Sequence, residues 1–125
     1  MSSNKEDVFT SIKSIRLHQY DRISFEGWQD VHLVFAHKKG YRGVLVGIIV
    51  VPPMVNGKME AMKDNAGTIT QDLAEVEKLH KLNDSAYADL LLAMIPRSKA
   101  FHIIIQAKDP KEFPYGNARL AWVQL

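Results

Sequence analysis

The sequence predicts an all-α domain, and two features lead to that fold class. The longest periodic stretches, residues 25–39 and 68–95, repeat their apolar residues at the 3.6-residue spacing of an amphipathic helix. Gly40 and Pro96, which commonly end helices, follow directly after these stretches. The 125 residues are 46% hydrophobic and 24% charged, the size and composition of one globular domain. We therefore expect one helical domain over residues 20–125, preceded by an N-terminal arm over residues 1–19.

The first predicted helix covers residues 25–39. Lys38 and Lys39 suit the C-terminal end of a helix, and Gly40 is a natural stop. Leu33 and Val34 lie off the main apolar face, which predicts that the helix is covered from two sides. That main face consists of Trp28, Val31, His32 and Phe35, at i, i+3, i+4 and i+7.

The next segment, residues 41–51, is open to two interpretations. Its runs of Val, Leu and Ile favour a short strand or extended segment near 44–51, ended by Pro52. A short helix over 42–46 fits as well, because periodicity cannot decide in so short a run. Residues 52–67 carry two prolines and two glycines without a sustained period, so we expect an irregular linker there.

The second long helix is predicted over residues 68–95. Thr68 and Gln71 have the spacing of a capping box, and Pro96 ends the stretch. A break at Asn83 and Asp84 is the alternative to one continuous helix. The buried stripe is expected to consist of Leu73, Val76, His80, Asn83, Tyr87, Leu90, Leu91 and Met94.

Three helix starts are predicted in the C-terminal part. One helix covers residues 98–107, and Asp109 followed by Pro110 resembles the start of another. Asn117 caps a last helix whose apolar face is still running where the sequence stops. Either Leu125 packs onto the body of the domain, or the sequence is a fragment of a longer chain. The expected core, with both tryptophans buried, is Trp28, Val31, Phe35, Leu45, Leu73, Val76, Tyr87, Leu90, Leu91, Phe101, Ile104, Ala121 and Trp122.

Residue usage argues against most enzyme classes. The chain has no cysteine, which excludes disulfides, iron–sulfur clusters, thiol catalysis and cysteine-ligated zinc. Its five histidines form no HxH, HExxH or HxxxH pair, and no nucleophile motif such as GxSxG occurs. We therefore expect no enzymatic activity, no catalytic residue, no metal site, no cofactor and no small-molecule substrate.

The densest basic cluster consists of Lys38, Lys39 and Arg42. It surrounds the sequence GYRG at residues 40–43, which has the form of the GxxG loop that clamps nucleic-acid backbones in KH domains. A helix end followed by a tight turn explains the same residues. The formal net charge of +2 neither demands nor forbids a nucleic-acid partner. The cluster is the candidate nucleic-acid-binding site.

The sequence predicts an intracellular, cytoplasmic protein without a membrane segment. Its N-terminus is polar and has no apolar run behind a basic start. The most apolar window, residues 44–51, is far shorter than the roughly 20 residues that span a bilayer.

Four segments, in this order, follow one pattern. They are Tyr20 and Asp21 with Phe25 and Trp28, KGYRGVLVG at residues 39–47 with Pro52 and Pro53 behind it, LNDSAYADLL at residues 82–91, and PYGNARLAWVQL at residues 114–125. In these segments the chain resembles the N-terminal capsid-forming region of the Gag polyprotein of Copia-type LTR retrotransposons. Arg22, where a glycine commonly follows the Asp, and the apolar residues 48–51 depart from the pattern.

The resemblance implies a small helical capsid-like domain that self-associates into a virus-like shell around the element's RNA, without catalysis. Ala118, Trp122 and Leu125, on the apolar face of the last helix, are the expected self-association residues, together with the apolar run at 48–51. Since the family's cysteine-containing zinc knuckle is absent, we expect weak and non-specific RNA binding. The family's later helices are also absent, which favours small oligomers over complete particles.

Two questions stay open at this point. The alternative function is a small nucleic-acid-binding module that uses the basic cluster. The sequence is equally compatible with a truncated element, a domesticated host gene or a piece of an intact element.

Overall fold

The computed structural model describes residues 15–125, which form five helices and one two-stranded antiparallel hairpin. The predominantly α-helical fold class is therefore confirmed. The elements are α1 (Arg22–Lys39), α2 (Arg42–Val46), β1 (Met62–Lys63), β2 (Ile69–Gln71), α3 (Leu73–Leu92), α4 (Lys99–Ile105) and α5 (Ala118–Gln124).

Helix α1 starts three residues earlier than predicted and ends where it was predicted to end. The Asp21 carboxylate accepts a hydrogen bond from the backbone N–H of Ser24 and caps the first turn. Gly40, with a φ of 87°, adopts the left-handed conformation that turns the chain out of the helix. The prediction of a second covered side holds only in part: off the main face, Leu33 is half-buried and packs against the core, whereas Val34 is exposed. On the main face, Val31 is exposed as well. The buried side consists of Trp28, His32, Phe35 and Ala36.

The segment after Gly40 is a helix and not the strand near 44–51 that its composition favours. Helix α2 is one turn long and lies between two glycines with positive φ, Gly40 and Gly47. Tyr41, Val44 and Leu45 are all buried, and their i, i+3, i+4 spacing places them on one side of that turn. A strand would have sent Val44 and Leu45 to opposite faces, so burial of both in one core selects the helix.

The two strands lie on either side of the boundary between the predicted linker and the second long predicted helix: β1 falls within residues 52–67, and β2 occupies the start of the stretch 68–95. Residues 62–63 pair with residues 69–71, and a turn at Asp64 joins them. The Asp64 carboxylate accepts hydrogen bonds from the N–H groups of Ala66 and Thr68, which fixes the turn. Thr68 therefore belongs to the hairpin and does not cap a helix.

Helix α3 begins at Leu73, and its cap is Asp72. The Asp72 carboxylate accepts the N–H of Glu75, so the capping box predicted at Thr68 and Gln71 is wrong. The helix continues without a break through Asn83. Its buried side chains are Val76, His80, Asn83, Ala86, Tyr87 and Leu90.

The C-terminal part contains helices α4 and α5. The cap predicted at Asn117 is confirmed, whereas Ser98, predicted as the first helical residue, is the cap of α4. Ser98 accepts the N–H of Phe101, and Asn117 accepts the N–H of Leu120. The helix start predicted at Asp109 is a closed turn instead. Its carboxylate accepts the N–H groups of the two residues after Pro110, and its backbone pairs with that of Phe113. A capping Asp before a Pro serves a turn as well as a helix.

The core lies where α5 meets α2, α3 and α4. It includes the predicted residues, except that Val31 and Leu73 are exposed, while Leu91 and Phe101 pack half-buried against it. Tyr41 and Ala118 add to it from positions outside the predicted core, and Met94, predicted on the buried stripe of the second long helix, is buried there as well. None of the helices within residues 15–125 has both the length and the apolar character needed to cross a membrane.

Candidate functional site

Asn83 fastens the start of α5 to the middle of α3. Its side-chain amide donates to the carbonyl of Gly116 at 2.9 Å, and its Oδ1 accepts the N–H of Ala118 at 3.0 Å. The side chain is buried, so these bonds satisfy backbone groups that water cannot reach. An asparagine within an apolar stripe was the signal in the sequence for such a contact.

Tyr87 joins the same region to α4. Its hydroxyl donates to the carbonyl of Ile104 at 2.7 Å. Gly116 has a φ of 108°, and a Cβ built there would lie 2.4 Å from the Tyr87 ring. Glycine at this position therefore allows both the backbone conformation and the close approach of the ring.

A row of aromatic rings joins α1 to α5. Trp28 stacks on His32 with ring centroids 4.9 Å apart, and Trp122 lies 6.1 Å from Trp28 and 5.9 Å from His32. The indole N–H of Trp28 donates to the carbonyl of Ile15 at 2.7 Å. Burial lowers the pKa of His32 to about 4, against the opposing effect of the Asp89 charge. His32 is therefore neutral near pH 7 and packs as an aromatic ring.

The apolar face of α5, which carries the three predicted self-association residues, is largely covered by the chain itself. Ala118 is fully buried and Trp122 is only 7% exposed, because both pack in the core. Leu125 is half-buried, and its carbonyl accepts a hydrogen bond from the hydroxyl of Tyr20. The expectation that both tryptophans are buried is confirmed.

The three predicted basic residues lie together at the junction of α1 and α2, and all three are exposed. Lys39 is the most constrained, since its Nζ lies 3.9 Å from Asp89 Oδ2 and 6.0 Å from the Phe35 ring centroid. Asp89 also accepts a hydrogen bond from Tyr41, and burial together with that bond raises the Tyr41 pKa. None of the ion pairs found within residues 15–125 involves Lys38 or Arg42. Two cations thus remain turned to solvent near the negative end of the α1 dipole.

A groove of about 400 Å³ lies between α2, the loop behind it and α5. Its walls are mainly valine, isoleucine, proline and phenylalanine side chains, and its ionisable groups are Glu112 and Arg119. The Arg119 guanidinium donates to the carbonyl of Leu45 at 2.6 Å, near the end of α2. The arginine therefore holds α5 to the end of α2.

Exposed apolar side chains remain on the outer side of α1 and in the loop after α2. Ile23 is 84% exposed, Val34 is 59% exposed and Ile48 is 79% exposed. For α1, the sequence contained a signal for an exposed apolar side chain, because Val34 lies off the main apolar face of the helix.

Within residues 15–125, no three His, Asp or Glu side chains come together in a way that could hold a metal ion.

Comparisons with protein-family models, curated proteins and solved structures found no match to this chain.

Proposed function

We propose that this chain is a non-enzymatic, Gag-like capsid domain that self-associates into a virus-like shell around retrotransposon RNA. The observation that carries the proposal is that the four segments of the Copia-type pattern pack against one another. Contacts between the pattern segments are expected when the residues of the pattern together specify one fold. The proposal places the protein in the cytoplasm, with itself and RNA as partners.

Each pattern segment contributes contacts between distant parts of the chain. Trp28 from the first segment lies against Trp122 from the last. The carbonyl of Leu45, in the second segment, accepts from Arg119 in the last. Asn83, in the third, binds the backbone at the start of α5. The polar residues of the pattern thus have structural roles, as expected of a shell-forming domain and not of a catalytic centre.

The exposed apolar side chains supply surface for contacts between copies. Ile48 and Val50 lie in the apolar run that departs from the family pattern, and both are exposed. Exposed apolar residues that cluster, with a groove beside them, are typical of interaction surfaces. Self-association through this outer surface is compatible with a buried α5 face.

We expect concentration-dependent self-association of the pure protein. The measurement is sedimentation velocity from about 1 µM to several hundred micromolar, with electron microscopy of the most concentrated samples. Contacts of one patch with itself give closed dimers, whereas head-to-tail contacts propagate into shells or filaments. A strict monomer at several hundred micromolar, well above ordinary weak dissociation constants, would contradict the proposed function.

A second candidate function is nucleic-acid binding by the basic cluster, favoured by the exposed positions of Lys38 and Arg42. We expect weak, non-specific RNA binding, with log K falling against log salt at a slope of about −2, since three cations neutralise few phosphates. Reversing Lys38, Lys39 and Arg42 to Glu should abolish binding without unfolding the protein.

The control for this variant reverses the exposed Lys78, Lys81 and Lys111 to Glu, which changes the net charge equally. Fluorescence anisotropy with labelled RNA measures both variants in a protein titration that reaches the roughly 1–100 µM range of non-specific binding. Equal losses in the two variants would mean that net charge, not the cluster, determines binding. Tight, sequence-selective binding at physiological salt would favour this second function over the first.

A further inference from the structure

The outer face of α1 is apolar in the middle of the helix. Along the helix axis, an acidic residue lies before this apolar centre and basic residues lie after it. Val34 is 59% exposed, and Leu33 lies half-buried beside it. Asp30 precedes this apolar centre, whereas His37 follows it and Arg42 lies at the start of α2. These five residues line one groove of about 350 Å³.

We propose that this face binds the same face of a second copy, with the two α1 helices antiparallel around a two-fold axis between Leu33 and Val34. The inference rests on the self-association proposed above and assigns it a surface. The residues that make the contact are Asp30, Leu33, Val34, His37 and Arg42, here called the α1 patch.

Symmetry explains why the charge pattern matters. In a two-fold contact, a residue on one side of the axis contacts the residues that lie on the other side of the axis in the second copy. The patch must therefore be complementary to itself. Asp30 and His37 each lie about 5 Å along the helix from the axis, at 1.5 Å per residue. They also lie on the same flank of α1, because seven residues make nearly two turns.

The antiparallel arrangement therefore sets Asp30 of each copy opposite His37 and the neighbouring Arg42 of the other. The Asp30 carboxylate and the Arg42 guanidinium form the contact twice, once on each side of the axis. Val34 of both copies lies at the centre, where the approach of the second helix removes it from water. Antiparallel α1 helices also align their dipoles in opposite directions.

The composition of the α1 patch favours a second copy over RNA. A phosphate approaching Arg42 in this groove would also meet the Asp30 carboxylate, which repels it. A second copy uses that carboxylate as a partner. The patch thus contains both halves of the charge pair that it needs.

The expected dimer is weak. The face of one helix is smaller than the roughly 800 Å² per partner of a standard stable interface, so we expect a Kd on the order of 10–100 µM. Because a two-fold contact closes on itself, a shell needs at least one further contact. The exposed Ile48 and Val50 lie outside the α1 patch and are available for it.

The first test compares Val34→Lys with Val123→Lys. Both valines are 59% exposed and lie on helices, so the two variants differ in position and not in exposure or added charge. Sedimentation equilibrium should give at least about a tenfold weaker association for Val34→Lys, because it places two like charges at the axis, and no change for Val123→Lys. Thermal melting reports on folding, and we expect both variants to melt close to the wild type.

The second test exchanges the charges. Asp30→Arg and Arg42→Asp should each weaken association several-fold, and the double variant should restore it, because the pair is rebuilt with the signs reversed. Rescue by the double variant is not expected of a merely structural effect.

The outcomes separate this inference from the proposed function. Association of the wild type with unchanged constants in Val34→Lys and in both single charge variants overturns the α1 patch and leaves the proposed function standing. A monomeric wild type overturns both. A lower melting temperature for Val34→Lys than for Val123→Lys, with association unchanged, would show that the chain itself covers the face and would overturn the inference. Loss of RNA binding in Arg42→Asp, without loss of association, would overturn it as well.

Discussion

Trp122→Ala is expected to lower the free energy of unfolding by about 3–5 kcal/mol. The side chain is only 7% exposed and lies against the rings of Trp28 and His32 at 6.1 Å and 5.9 Å. Truncation removes most of its buried apolar surface and leaves a cavity between α1 and α5, since the surrounding rings cannot close the gap completely. A loss of this size is a large part of the 5–15 kcal/mol by which small domains are stable.

Urea denaturation followed by circular dichroism measures this loss. Val123→Ala is the matched control, because it truncates the neighbouring residue of the same helix at a position that is 59% exposed. We expect the control to change stability by less than about 0.5 kcal/mol. A Trp122→Ala protein that melts like the wild type but no longer self-associates would place Trp122 at an interface and would contradict its burial in the core.

The helices that the sequence predicts correctly are those whose signals are local. Gly40 and Asn117 act through hydrogen bonds or dihedral angles within a few residues, so their effect can be read from neighbouring positions. The failures have a different origin. Thr68 and Asp72 are both acceptable caps, and the pairing of the strand at residues 69–71 with residues 62–63 decides between them. Strand pairing of this kind is a tertiary property that a local pattern does not contain.

The same distinction applies to the candidate sites. The basic cluster was predicted because its three residues are close in sequence and fall at a helix end. The apolar face of α5 predicts a packing partner, but the sequence does not say whether that partner is a second copy or α1. The contact between Trp28 and Trp122, which are 94 positions apart, decides the question. The sequence places Asn83 on the buried stripe, but its hydrogen bond to the backbone of Gly116 could be identified only from the folded structure.

Acidification below pH 6.5 is expected to destabilise the protein through His32, by a total of about 3 kcal/mol. Burial lowers the pKa of this imidazole to about 4, while the nearby Asp89 charge acts in the opposite direction with smaller effect. In the unfolded chain the pKa returns to its ordinary value of about 6.5. Between these two values the unfolded state binds a proton that the folded state does not, so the free energy of unfolding falls as the pH falls.

The sign of the effect restricts where it can be observed. Above pH 6.5 the imidazole is neutral in both states, so His32 adds no pH dependence there. From pH 6.5 to pH 4 the slope approaches 1.4 kcal/mol per pH unit, and below pH 4 both states are protonated and the loss is complete. Carboxylates also titrate in this range, so the informative quantity is the difference between the wild type and a variant without this imidazole.

His32→Phe keeps an aromatic ring in the stack between Trp28 and Trp122 and removes the titrating group. Urea unfolding from pH 4 to pH 7 should give a flatter dependence of stability on pH for this variant than for the wild type. His102→Gln, at an exposed position on α4, removes a histidine outside the core and should retain the wild-type slope. His32→Gln also removes the imidazole, and it checks that the flatter pH dependence does not come from the way a phenylalanine packs at this position. If all four proteins lose stability equally between pH 6.5 and pH 4, the imidazole of His32 is not the group whose protonation unfolds the domain.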